Sequence, residues 1–413
     1  MSPRWGDILI WSAMLIFGIH DQKTLDQLRD VASRAVRTAL MADGHVGYIM
    51  PIGGVAAYRN QVSVAGVGFD IACGNAAIRT NLSYHQIENS LEPLADEIKA
   101  TISFGVGRSN RAQDAPLDHP LFKDPAWERI PGKHERDTLF AKAREQLGTV
   151  GSGNHYLDLL TDEQNRVWVG AHFGSRGLGH TIAGGFMALY QGRPWGSRSA
   201  EVEALLDLQS ELGQSYWALM NLAGRYAYAG REWVARKVVQ ILGAKEEELV
   251  HNHHNFAWKE SHFGEELVVV RKGATPAFPG QKSFVGGSMG DDAVILQGTQ
   301  NPDPETLSLM QQAMFSTVHG AGRVMSRTEA AGKRDRKSGK VLRPGLVTPE
   351  AMKSWLEKKG VVLRGGGLDE SPQVYRRLEE VIREQKGTVE VLHTLRPRIV
   401  VMAGAGESDP YKD

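Results

Sequence analysis

The sequence predicts an α+β fold, a single large domain in which irregular central β-sheets are surrounded by helices. Three observations predict it. The chain has 413 residues, of which 41% are hydrophobic, enough for a sizeable buried core. Helical stripes and short β-rich runs are interspersed without the regular strand–helix alternation of a doubly wound sheet. No segment recurs at a period of about 20–50 residues, which excludes solenoids and propellers.

From the N-terminus, the first element is the apolar run ILIWSAMLIFG (Ile8–Gly18). It is too short to span a bilayer and no small-residue cleavage site follows it, so a buried strand or helix is expected. Leu25, Leu28, Ala32 and Ala35 then recur at helical spacing. A longer helix is expected from Glu201 to Leu242, where Leu205, Leu208, Leu212, Tyr216, Leu219 and Leu222 share one stripe. Asp303-Pro304 ahead of Leu307, Met310 and Met314 reads as a capped helix with proline in its first position. Strands are expected at Val62–Ala65, Val167–Gly170, Glu266–Val270, Ala293–Leu296 and Ile399–Met402. The basic segment Arg327–Arg343 (RTEAAGKRDRKSGKVLR) reads as an exposed loop, either merely solvated or in contact with phosphates.

Lys plus Arg (48) balance Asp plus Glu (48), so any basic surface for nucleic acid must be local. Cys73 is the only cysteine, which excludes an intramolecular disulfide and suits a reducing compartment. A cytoplasmic protein with no membrane partner is expected.

Chemistry concentrates where polar residues interrupt apolar or glycine-rich stretches. The segments are FDIACGN (69–75), GSGNHYLD (151–158), VGAHFGSRGLGH (169–180), HNHHNFAW (251–258) and VHGAGR (318–323). A metal site needs donors converging from several such segments. Asp70 and Cys73, three residues apart, can reach one centre from a tight turn. A lone cysteine can instead be a small buried hydrophobe, and the histidine segments favour the ligand reading. His155 follows a glycine turn, and His172 ends the strand VWVGAH. His253 and His254 would face opposite sides of a strand, so only one of them should reach the centre.

His319 precedes Gly320-Ala321-Gly322-Arg323, where small residues let phosphate approach backbone N–H groups. It could ligate a metal or attack phosphorus as a neutral imidazole, and the motif does not separate the two roles. RKGAT (271–275) and FVGGSMG (284–290) also look directed at anions, but neither is a P-loop or dinucleotide fingerprint.

These segments, together with DGHVGYIMPIGGV (43–55) and in this order, resemble the RtcB family of RNA ligases. The resemblance runs from about Asp43 to Met402. It implies one RtcB-like catalytic domain over 1–413, with 403–413 an extra C-terminal tail. It implies two Mn²⁺ ions bridged by the Cys73 thiolate, with Asp70, His155, His172 and His254 completing their shells. Softness rules alone would favour zinc for such donors, so manganese rests on the resemblance.

His319 would be guanylylated by GTP, while Asn154, Tyr156, Asp158, Asn255, Ser288, Ala321 and Gly322 would line the nucleotide pocket. Arg176, Arg271 and Lys272 would bind RNA phosphates. The implied reaction joins an RNA 3′-phosphate or 2′,3′-cyclic phosphate end to a 5′-hydroxyl end, with an activating helper protein as a candidate partner. A metal-dependent phosphoesterase and a non-catalytic RNA-binding paralogue are the alternatives. The chain departs from the family pattern twice. Ala403 stands where a lysine is expected, and Asp158 where a glutamate often reads guanine.

Overall fold

The computed structural model describes residues 14–198, 200, 202–334 and 341–404. Residues 8–13 of the N-terminal apolar run, Glu201, residues 335–340 of the basic segment and 405–413 of the tail lie outside the described residues.

Two large sheets carry the architecture, and their order confirms the α+β class. In the five-stranded sheet the order is Met14–Ile16, Arg37–His45, Ile52–Tyr58, Glu265–Lys272 and Asn255–His262. Only the first pairing is parallel. The eight-stranded sheet runs Lys282–Val285, Ala293–Gly298, Val389–Gly404, Tyr156–Thr161, Arg166–Phe173, Gly74–Ser83 and Glu246–His253. Its remaining strand, Val362–Gly366, lies parallel to the edge of Val389–Gly404. The sheet curls until its ends meet, because the Phe284 N–H donates to Asn252 Oδ1 across the gap at 3.1 Å. His253 ends a strand of one sheet and Asn255 begins a strand of the other, which leaves His254 at the junction.

Helices cover the outer faces. Arg176–Tyr190 and Glu211–Ile241 pack with the Trp127 region into the largest apolar cluster. Glu211–Ile241 also backs the large sheet through Val234, Ala235 and Val238. This helix begins later than the leucine stripe suggested, since Leu205–Asp207 is a short strand and Ser210 caps the helix at Gly213 N–H. Val62–Ala65 likewise divides. Gln61–Ser63 is strand, and the Ser63 hydroxyl then caps the helical turn Val64–Val67.

The Asp303 cap is as expected, its carboxylate accepting from Thr306 N–H. Of the apolar run, Met14–Ile16 forms an edge strand and Phe17 is buried. The basic segment opens with an ordered helical turn, Arg327–Ala331, rather than a loop, because Ser326 and Glu329 form a capping box. Among the described residues, no helix is long and apolar enough to cross a membrane.

Candidate active site

Strand ends and turns at the sheet junction deliver the donors. The Asp70–Cys73 turn closes with Cys73 N–H donating to Asp70 C=O at 3.0 Å, and Ala72 has a positive φ of 61°. Cys73 C=O then accepts from His254 N–H at 2.8 Å, which couples the thiol to the junction. Gly74 pairs with Phe173 on one side and His253 on the other, and Asn75 pairs with His172, which brings Cys73 within reach of both His172 and His254.

Two donor groups result, Cys73–His172–His254 and Asp70–Cys73–His155. Within each, the ligating atoms lie within 4.8 Å of one another. Cys73 belongs to both, its Sγ 3.7 Å from His155 Nε2 and 3.8 Å from His172 Nε2. Asp70 Oδ2 is 3.0 Å from His155 Nε2. A side chain at Gly174 would strike the Asp70 carboxylate, since its Cβ would lie 2.2 Å from Oδ1.

The surroundings suit cations. Burial presses the His172 and His254 pKa values well below the ordinary histidine range and keeps both rings neutral, the form that donates to a metal. Asn75 donates through Nδ2 to Phe284 C=O, so its Oδ1 must accept from His172 Nδ1–H at 2.6 Å. That assigns the tautomer and turns the His172 Nε2 lone pair toward Cys73. His254 Nδ1 is buried with no hydrogen-bond partner, an unsatisfied donor atom that a metal would satisfy. Burial, reinforced by Asp70, pushes the Cys73 thiol well above its usual range, so a bound cation is what would make it a thiolate. Cys, His and Asp donors, with the His172 and His254 imidazoles held neutral, fit divalent cations.

His319 adjoins this centre, its ring centroid 5.1 Å from that of His254. Asp43 is its anchor. One carboxylate oxygen accepts from the His319 and Gly320 N–H groups at 3.0 and 3.2 Å and lies 2.6 Å from His319 Nδ1. Burial opposes charge on Asp43, but the contacts from His319 outweigh it and hold the carboxyl below its usual range. The Asp43 carboxylate lies against Nδ1 as a close ionic contact without hydrogen-bond geometry, so Nε2 is the nitrogen away from the carboxylate.

A cavity of about 830 Å³ opens beside His319. Asn154, Tyr156, Asp158, Ser288, Ala321 and Gly322 line it, and so does Lys272. Three other predicted residues sit elsewhere. Asn255 accepts from Gly273 N–H and braces the junction instead. Arg176 lies outside the cavity wall, donating to Gly105 C=O and Thr149 Oγ1. Arg271 is fully buried and spends its donors on Glu260, Met314 and Ser316.

Asp158 is 8% exposed, burial raises its pKa well above the carboxylate range, and its Oδ1 has no partner. Ala403 faces away from the cavity. It packs with Ile399 and Val401, while Val400 and Met402 on the opposite side of the strand line the cavity.

Asp43, Asn75 and Arg231 were not assigned roles from the sequence. Arg231 carried a signal, a charge on the stripe Tyr216, Met220, Ala223, Ala227 and Val234, all of them buried. Its guanidinium donates to Ala72 C=O (2.9 Å), Phe173 C=O (2.5 Å), His251 Nε2 (2.9 Å) and His253 Nδ1 (2.8 Å). It therefore ties together the backbone just before Cys73 and just after His172, and it explains why His253 turns away from the metal donors. Arg231→Met should strand these acceptors. At about 1–3 kcal/mol for each buried unsatisfied group, with partial relaxation, a loss of roughly 3–5 kcal/mol is expected in urea unfolding. A loss below about 1 kcal/mol would refute the strut role.

Comparison with known proteins finds relatives over most of the chain. A family model described as tRNA-splicing ligase RtcB matches residues 27–403. The tRNA-splicing ligase RtcB of Archaeoglobus fulgidus is 32% identical, over 92% of this chain and 91% of its own length. The RNA-splicing ligase RtcB of Escherichia coli K12 is 31% identical, covering 88% and 89%. The tRNA-splicing ligase RtcB of Thermococcus kodakarensis is 30% identical, covering 93% and 92%.

Proposed function

The chain belongs to the RtcB family, and from that premise we propose that it is an RNA ligase that works through a nucleotide carried on His319. The observation that carries this reading is the juxtaposition of His319, anchored through Nδ1 by Asp43, with the Cys73-centred donors at the edge of a nucleotide-sized cavity. Asp70, Cys73, His155, His172 and His254 would hold two Mn²⁺ ions, which supply charge neutralisation for the phosphates.

His319 Nε2 attacks the α-phosphorus of GTP. A P–N bond forms, the bond to pyrophosphate breaks, and Asp43 stabilises the charge that develops on the imidazole. The RNA 3′-phosphate then attacks the same phosphorus and displaces His319, which leaves GMP on the RNA end. A 5′-hydroxyl attacks the activated 3′-phosphate and expels GMP. A cyclic phosphate end is first opened to the 3′-phosphate. Unaided, a 3′-phosphate has no good leaving group, and the nucleotide provides one. Lys272, which lines the cavity while donating to Tyr48 C=O, and Arg176, which lies outside the cavity wall but whose charge acts on Asp70, would meet RNA phosphates. The test is to incubate the full chain with Mn²⁺ and α-³²P-labelled GTP or ATP. A labelled histidine supports the reading, whereas phosphate release without label favours a phosphoesterase.

Asp158 bears on which base is accepted. Its short, buried carboxyl has one unpartnered oxygen, and Ala403 contributes no polar group to the cavity. Guanine offers two donors on one edge, and a carboxylate with longer reach would meet both. The expected result is a modest preference for GTP over ATP, sharpened about tenfold in Asp158→Glu, roughly the worth of one hydrogen bond to a charged group. Competition labelling measures it, and an unchanged ratio in the variant would remove Asp158 from base selection.

A further inference from the structure

Arg271 lies outside the cavity wall, and its guanidinium is fully buried. Nη1 and Nη2 grip the Glu260 carboxylate at 2.7 and 3.0 Å, and Glu260 is held in turn by His262 Nε2 at 2.7 Å. Arg271 Nη2 also donates to Met314 C=O at 2.7 Å, and Nε donates to Ser316 Oγ at 2.8 Å. The face of the guanidinium covers the Trp258 ring at 5.0 Å. Little donor capacity is left for a phosphate.

What Arg271 holds is unusual backbone. Met314 and Phe315 have φ values of 51° and 47°, the left-handed region that non-glycine residues rarely enter. Two such residues in succession persist only where their surroundings hold them. This turn leads into the strand Ser316–Val318, which ends next to His319. The partner strand, Ala274–Pro276, pairs Ala274 with Val318 and Pro276 with Ser316. It is reached from Arg271 through Gly273, whose φ is 61° and where a Cβ would lie 3.2 Å from His319 Cε1. Arg271 is therefore fixed to both strands that set the height of His319 above the cavity.

We propose that Arg271 is a positioning residue for His319: braced by Glu260 and His262, it locks the Met314–Ser316 turn and so sets the distance from the imidazole to the nucleotide. The inference rests on the reading of His319 as the nucleotide carrier. It replaces phosphate binding as the role of Arg271.

The test measures the single-turnover rate at which the full chain takes label from α-³²P-GTP with Mn²⁺. Glu260→Gln keeps the size of the side chain while weakening the grip on Arg271, and Ser316→Ala removes one bond. In Glu260→Gln the rate at saturating GTP should fall by up to about 10²-fold, the cost of displacing a reacting group by about 1 Å. In Ser316→Ala it should fall about tenfold.

Half-saturating GTP, metal content and the sealing of RNA whose 3′ end already carries a nucleotide should stay at parental values. A folded Glu260→Gln chain labelled at the parental rate overturns the proposal. So does a variant that loses metal and sealing together with labelling, since that marks general structural damage. Should Glu260→Gln fail to fold, Ser316→Ala decides on the same readouts. Absence of label in the parent chain would instead overturn the assignment of His319, so the two failures are distinguishable.

Discussion

Replacing Cys73 with alanine should leave a folded protein that no longer binds metal and no longer seals RNA. Cys73 Sγ is the one donor common to both groups at the centre, and the chain has no second cysteine to stand in for it. Its removal costs the fold little. The residue is small and buried, its backbone already holds the turn through Asp70 and His254, and a loss of about 1 kcal/mol is the ordinary expectation for such a change. The chemistry suffers far more. Loss of a single group that stabilises developing charge costs about 10²–10³-fold in other enzymes, and loss of the donor common to both groups should exceed that. Elemental analysis, a thermal melt and a sealing assay on one preparation check the result. A folded Cys73→Ala chain that seals RNA at the parental rate would show that the metal donors have been misassigned.

His319→Ala should separate the two halves of the reaction. Covalent labelling from GTP should disappear, because Nε2 of this residue is the proposed nucleophile. Metal should still bind, since neither donor group includes His319. Sealing should survive when the RNA 3′ end already carries its nucleotide, because the attack by the 5′-hydroxyl needs no histidine adduct. Asp43 sharpens the test. In Asp43→Asn the imidazole keeps a polar neighbour of the same size but loses the negative charge at Nδ1, so labelling should slow rather than vanish. Mass spectrometry that finds the nucleotide on another histidine, or label persisting in His319→Ala, would end the assignment.

The donors were legible because each stands at a break in a local pattern. Cys73 closes a turn before a strand, His172 ends an apolar strand, and alternation along a strand allowed only one of His253 and His254 to face the centre. Strand interiors were equally clear, and their boundaries less so. A serine hydroxyl turned Val64–Val67 into a helical turn, and another delayed the long helix to Glu211, in each case by offering a cap that apolar spacing does not record.

The arginines were the least readable residues. Arg271 sits in a motif that looks made for phosphate, yet Glu260 and the strained turn at Met314 claim it. Arg231 is a charge on the apolar stripe of its helix, and its partners behind the Cys73 turn come from distant segments that the stripe does not name. Arg327, at the start of a segment expected to be a loop, is ion-paired with Asp369 and Glu370.

By itself the sequence determined the fold class and singled out Asp70, Cys73, His155, His172 and His254, which the structure brings together, and His319 beside a glycine-rich turn. Those depend on side-chain chemistry and on periods of two or 3.6 residues, which are local. Only the tertiary structure decided which side chains share a sulfur, which nitrogen of His319 stays free, and which cations face the cavity rather than the core. A long arginine side chain can swing to either side of its strand or helix. Where it goes depends on buried acceptors supplied by distant segments, 231 by 72 and 173, 271 by 260 and 314. An unpaired buried acceptor costs about 1–3 kcal/mol, which draws a guanidinium toward it, and no local pattern records where such acceptors will fall.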